Sequence, residues 1–175
     1  MAGTKVLRGN TSIWAARPEA FTDWGVPLSA ADWATGVAAG LITDISCAVE
    51  DGYTLGLTGS STDSSQSVCD IAEVETPLYY EYEASLDLFR NLPGSIDTPI
   101  YDIAMSLFDG KDVAYYLLSR VDALQGSTVV AGNILSAFAV KTDLAQDTVE
   151  DGSMAMFAAR FKPSGGVNVN FTVVA

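Results

Sequence analysis

From Leu78 to Arg90 the chain alternates strictly. Tyr80, Tyr82, Ala84, Leu86 and Leu88 fall on one side, and Tyr79, Glu81, Glu83, Ser85 and Asp87 on the other. Period two over this length predicts a strand with one buried face and one wet, acidic face. The same period governs most of the chain from Ile42 onward. Strands are expected over 42–49 and 53–57, with a turn at Asp51-Gly52 between them. Residues 59–66 then form a polar tip, and 68–74 resume the strand pattern, which together read as a long hairpin. Further strands are expected over 112–122, over 129–142 with a kink near Gly132-Asn133, over 154–162 and over 167–174. Pro163-Ser-Gly-Gly166 reads as a hairpin turn joining the last two.

Two segments break this period. Thr98 as cap, Pro99 at the first helical position and Gly110 as terminator predict a helix over about 97–109. Its apolar stripe would run through Ile100, Ile103, Ala104, Leu107 and Phe108. Ser29 to Ala34 reads as a single helical turn, with Ser29 at the N-cap, Asp32 three residues on, and Gly36 and Gly40 closing it. Residues 1–28 show no period. They are basic at first, then carry Trp14, Phe21 and Trp24, and are expected to form an arm anchored on this domain or on a neighbouring copy. Residues 29–175 would be one β-rich domain. The expected fold is mainly β: an antiparallel sandwich or half-closed barrel of seven or eight strands, with one flanking helix and a long hairpin.

Composition sharpens this picture. In 175 residues, 49 % are apolar, enough for one real core. Against 22 acids stand 9 bases, and residues 18–89 hold thirteen acids without a Lys or Arg. Such a surface repels phosphate and disfavours a protein that grips nucleic acid. It would serve solubility, or a surface that DNA must pass without sticking. There is no histidine, which removes Ser-His-Asp and Cys-His catalysis and His-ligated zinc. Cys47 and Cys69 are the only cysteines, too few for a thiolate zinc site; they could be reduced core thiols or a bridge between neighbouring strands. No signal-like run opens the chain and no apolar stretch reaches about 18 residues. Synthesis and folding in a cytoplasm are expected, with no membrane contact.

Chemistry is scarce. Glu81 and Glu83 are two residues apart on one strand face, roughly 6.5–7 Å between Cα atoms, and point the same way. They do not bracket a sugar as a glycosidase pair does. Asp147, Glu150 and Asp151 make only a loose acidic turn without a calcium-loop pattern. Gly-Ser-Ser-Thr at 59–62 lacks the Lys and following helix of a phosphate loop. No enzyme activity, cofactor or metal is expected. Assembly remains, because strands rich in aromatic and β-branched residues create sheet edges that must be covered or paired.

The order of features resembles the major tail (tail tube) proteins of siphophages. The matching segments are the arm through Ile13-Trp-Ala, Leu28-Ser-Ala-Ala-Asp-Trp33, residues 45–57 with the polar tip, and the strand over 79–90. The single helix, Tyr115-Tyr-Leu-Leu-Ser-Arg120 and Ala158-Arg-Phe-Lys-Pro-Ser-Gly-Gly-Val-Asn-Val169 complete them. The resemblance implies hexameric rings that stack into a tube around a tape measure protein. Tail terminator and distal tail proteins would cap the tube. DNA would pass down an acidic lumen without specific binding, and the protein would reside in the virion tail after synthesis in the host cytoplasm. By position, Asp70, Glu73, Glu75, Glu81, Glu83 and Asp87 are the lumen candidates. Trp14, Phe21, Trp24 and the tip at Ser61, Thr62, Asp63 and Ser64 are the candidates for contacts between subunits or rings. The competing readings are a capsid-decorating or tail-completion protein and a carbohydrate-binding β-sandwich.

Overall fold

The computed structural model describes residues 11–21, 28–63, 76–91, 98–121, 126–148 and 155–175, with backbone alone for 61–63 and 76–79. In chain order the elements are β1 (Thr11–Ala16), α1 (Ala30–Ala38), β2 (Ile42–Asp44), β3 (Thr54–Asp63) and β4 (Thr76–Phe89). They continue with α2 (Pro99–Phe108), β5 (Ala114–Val121), β6 (Ile134–Thr148) and β7 (Met156–Thr172). All seven strands belong to one sheet of order β2-β1-β5-β6-β7-β4-β3, and each neighbouring pair is antiparallel. The sheet is not a closed barrel: β2 and β3 form its two ends.

The sheet curls because β4 stays beside β7 for only part of its length. Their ladder runs from Ser85↔Arg160 to Phe89↔Met156. On the other side of Ser85, β4 keeps only β3 as a strand partner among the described residues, from Leu55↔Ala84 to Asp63↔Thr76. This half of the hairpin lies over the sheet rather than beside β7, for Tyr82 packs on Phe138 of β6 with ring centroids 5.7 Å apart.

Two cores result, one on each face. The larger gathers Ile13, Leu86, Leu88, Tyr115, Leu117, Phe138, Val140, Phe157 and Phe161 inside the curl, with Ala104 and Phe108 of α2 closing it. Phe108 meets Tyr115 and Phe161 edge-on, at 5.3 and 5.1 Å, an arrangement aromatic rings favour. The smaller lies on the opposite face of β1, β5 and β6, where Trp14, Leu118, Leu135, Ala137 and Val173 pack under Trp33 of α1. Both faces of β1 and β5 are therefore buried, which accounts for their near-continuous apolar sequence.

Several elements depart from the sequence reading. Residues 11–16, expected in an irregular arm, form β1, paired with β2 on one side and β5 on the other. Their alternation escapes notice because both faces are covered, so apolar and small residues follow without a break. The expected turn at Ser29–Ala34 is a nine-residue helix, capped as anticipated: Ser29 Oγ accepts from the Asp32 amide at 3.0 Å. At the second helix Thr98 gives no side-chain cap. Asn91 instead holds the N-cap residue in place, its Oδ1 accepting from the Thr98 amide at 3.1 Å and its Nδ2 donating to the Thr98 carbonyl at 3.0 Å. Ile103 is exposed, so the inward face of α2 is centred on Ala104 and Phe108. The strand expected over 42–49 stops at Asp44, whose carboxylate accepts from the Ser46 amide at 2.9 Å and starts a 3-10 turn. The expected polar tip belongs to β3 as far as Asp63; the strand expected over 68–74 lies outside the described residues.

The largest difference is at Pro163-Ser-Gly-Gly166. It is not a hairpin turn but a bulge within β7. Phe138 pairs with Val167 and Val140 with Pro163, so Ala139 alone faces Ser164, Gly165 and Gly166. Both flanks of the Gly-Gly segment find partners on the same strand, and the chain keeps its direction. Glycine and proline in a strand are at home in such a bulge.

Candidate assembly surface

The outward face of β4 carries the acids expected there. Glu81 and Glu83 are exposed, while Tyr82, Ala84, Leu86 and Leu88 alternate with them into the core. Neither glutamate has an ion-pair partner among the described residues. Asp87 differs: Arg160 of β7, two residues along from its ladder partner Ala158, places Nη1 2.8 Å from Asp87 Oδ1. The other bases on or just after β4, β6 and β7 are likewise held by acids. Arg90 pairs with Asp147, Lys162 with Asp143 at 3.1 Å and Lys141 with Asp112 at 2.9 Å. Lys141 and Lys162 lie directly opposite one another, a repulsive cross-strand pair that their two aspartates offset. The unneutralised charge on this side of the sheet is thus negative and concentrated on the hairpin.

The hairpin also presents apolar surface. Leu57 is 42 % exposed and Tyr80 63 % exposed, although both lie on the face that Tyr82 turns toward the core. Besides the outer edge of the short β2 and the side of β4 that faces away from β3 before Ser85, two further strand edges lack a strand partner among the described residues. One is the outer edge of β3, whose residues 54–60 include no charge and no proline; the other is β7 beyond Arg160, on the side away from β6. Val167–Thr172 within it is again uncharged and free of proline. Natural sheets protect edges with charges, prolines or covering segments, so an undefended edge is a template for pairing.

Of the remaining candidates, Asp70, Glu73, Glu75, Trp24 and Ser64 lie outside the described residues. Ser61, Thr62 and Asp63 occupy the end of β3, where their backbones pair with Tyr79, Pro77 and Thr76. Phe21 packs on Tyr116 with centroids 5.5 Å apart. Trp14 is only 4 % exposed, edge-on to Trp33 at 5.1 Å. Its anchoring surface is this domain. The two tryptophans border a cleft of about 400 Å³ lined also by Val37, Ile42 and Asp44.

Arg120 went unnoticed in the sequence and organises the wall of that cleft. It is 4 % exposed at the end of β5. Its guanidinium donates to the Ser127 carbonyl at 3.0 Å and to Asn133 Oδ1 at 3.0 Å, and stacks over Trp14 with Cζ 5.3 Å from the centroid. Burial lowers its pKa, and the Asp44 carboxylate counters that. No local signal marks it: Tyr116, Leu118 and Arg120 share one face of β5, and only the packing of Trp14, Trp33 and Val129 on that face covers it. Among the described residues no three acidic or thiol side chains gather to hold a metal ion, and no helix is long and apolar enough to cross a membrane.

No curated protein sequence matches this chain. A family model described as phage tail tube protein matches residues 2–175. The chain therefore belongs to the phage tail tube protein family and is a structural component of a phage tail.

Proposed function

We propose that this tail tube subunit closes into hexameric rings whose inner wall is the outward face of β3, β4, β7 and the adjoining half of β6. Glu81 and Glu83 line the lumen. The observation that carries this reading is that they stand exposed and unpaired on a face whose bases are each held by an acid. Such a wall repels DNA phosphates and lets the duplex slide past. Asp87 lies on the same wall with its charge neutralised. Asp70, Glu73 and Glu75 extend the acidic stretch by sequence.

The seam between subunits joins unlike edges. The outer edge of β3 in one copy meets Val167–Thr172 of β7 in the next, and unlike edges generate rings or helical filaments rather than closed pairs. The hairpin tip at 61–64 and the segment before β1 mediate stacking. Rings stack around a tape measure protein in a long non-contractile tail. The tail terminator and distal tail proteins cap the stack, and assembly takes place in the host cytoplasm.

Negative-stain microscopy of the concentrated protein tests the reading. Hollow tubes of stacked rings support it. Uniform trimers or monomers that bind capsids would instead favour a decorating protein.

A further inference from the structure

We infer that the Tyr82 hydroxyl positions the β3–β4 hairpin for assembly, setting the angle at which the hairpin meets a neighbouring copy. The inference rests on the tube reading, and its argument begins at the point where β4 leaves β7. Ser85 is the last residue of β4 paired with β7. Tyr82 lies three residues beyond, opposite Leu57. Its side chain is 6 % exposed against Phe138, and its hydroxyl lies within donating reach of two carbonyls, those of Ala139 and Gly165, the second at 3.2 Å. Two residues further along the same face, Tyr80 is 63 % exposed. Tyr82 thus stands between the packed base of the hairpin and the exposed Tyr80.

The two acceptors are the residues of the β6–β7 bulge. Where one residue faces three, the ladder is interrupted and backbone carbonyls need donors from elsewhere. The bulge is also tight: a Cβ on Gly165 would come within 3.2 Å of the Ala139 Cβ. A donor held there by a buried ring therefore ties the hairpin to a fixed point. A phenol, with an ordinary pKa of about 10, is a donor at neutral pH, and burial raises that value further. The uncharged edge of β3 and the acids Glu81 and Glu83 all ride on the element that this contact orients.

Tyr82→Phe keeps the ring and removes the tie. Tyr115→Phe is the matched control, because Tyr115 donates to the Leu107 carbonyl and ties β5 to α2, away from the hairpin. Hydrogen exchange of the residue 78–81 amides, thermal stability and the protein concentration at which tubes appear are measured for both. Tyr82→Phe should speed that exchange about fivefold, the equivalent of one net hydrogen bond. It should raise the assembly concentration by a similar factor, with no larger drop in melting temperature than the control. Unchanged exchange overturns the inference. So does an equal rise in assembly concentration for both variants, which would mark a loss of general stability. If the unaltered protein forms no tubes, the tube reading falls, and amide exchange alone decides whether Tyr82 holds the hairpin.

Discussion

Arg160 reaches across the β4–β7 ladder to Asp87, Nη1 to Oδ1 at 2.8 Å, and takes one acid out of the free charge of the sheet's outward face. The pair is half-exposed, with side chains 42 % and 33 % accessible. Water screens such a pair, so Asp87→Asn should cost no more than about 1 kcal/mol in urea denaturation, and less in molar salt. A loss that persists unchanged in high salt would mean that packing, not charge, holds this site.

Glu81 and Glu83 should behave differently. Reversing both to Lys leaves the core face of β4 untouched, so tubes should still form at normal stability. Ejection of DNA from phage carrying the altered tails should slow, because a basic ring now grips the passing phosphates. Ejection at the normal rate from intact mutant tails would remove these residues from the lumen.

Arg120→Lys should destabilise the protein by about 2–4 kcal/mol despite keeping the charge. A single ammonium cannot span the Ser127 carbonyl and Asn133 while stacking on Trp14, and buried acceptors left without donors are costly. Equilibrium urea unfolding measures the loss, and a near-neutral result would show that the loop carrying Ser127 holds its place unaided.

Alkaline pH should unfold the protein through its phenols. Desolvation raises the pKa values of Tyr53, Tyr82 and Tyr115 in the folded state, only partly opposed at Tyr115 by the charge of Arg17. The folded protein therefore holds these protons more tightly than the unfolded chain does. Stability is intact below the ordinary phenol pKa of about 10 and falls as pH rises through it toward the folded values. Urea midpoints measured from about pH 9 to about pH 11 should decline, and Tyr53→Phe should flatten the decline.

The sequence was most readable where one face of a strand is wet. Glu81, Glu83 and Asp87 alternate with Tyr82, Ala84, Leu86 and Leu88, and the structure keeps that partition residue by residue. Pattern failed where tertiary contacts cover both faces, as in β1, whose Trp14 belongs to one core and Ile13 to the other. It failed again at Pro163-Ser-Gly-Gly166, because a bulge and a turn use the same residues. The assembly surface was half legible. The acids were visible, but the neutralisation of Asp87 and the tie from Tyr82 to the bulge depend on pairings between residues more than fifty positions apart.

The amino-acid order by itself determined a β-rich chain with one acidic strand face, helices starting at Ser29 and Thr98, and no histidine with which to do chemistry. These are local or compositional properties, set by side-chain period, capping residues and charge. Tertiary structure alone decided that β7 runs straight through its Gly-Gly bulge, that the sheet stays open at β2 and β3, and that Arg120 is buried. Each of those depends on which distant strand supplies a partner. Hydrogen-bond pairing between strands carries no trace in a local pattern, and that pairing determines which edges and charges are left for another copy to meet.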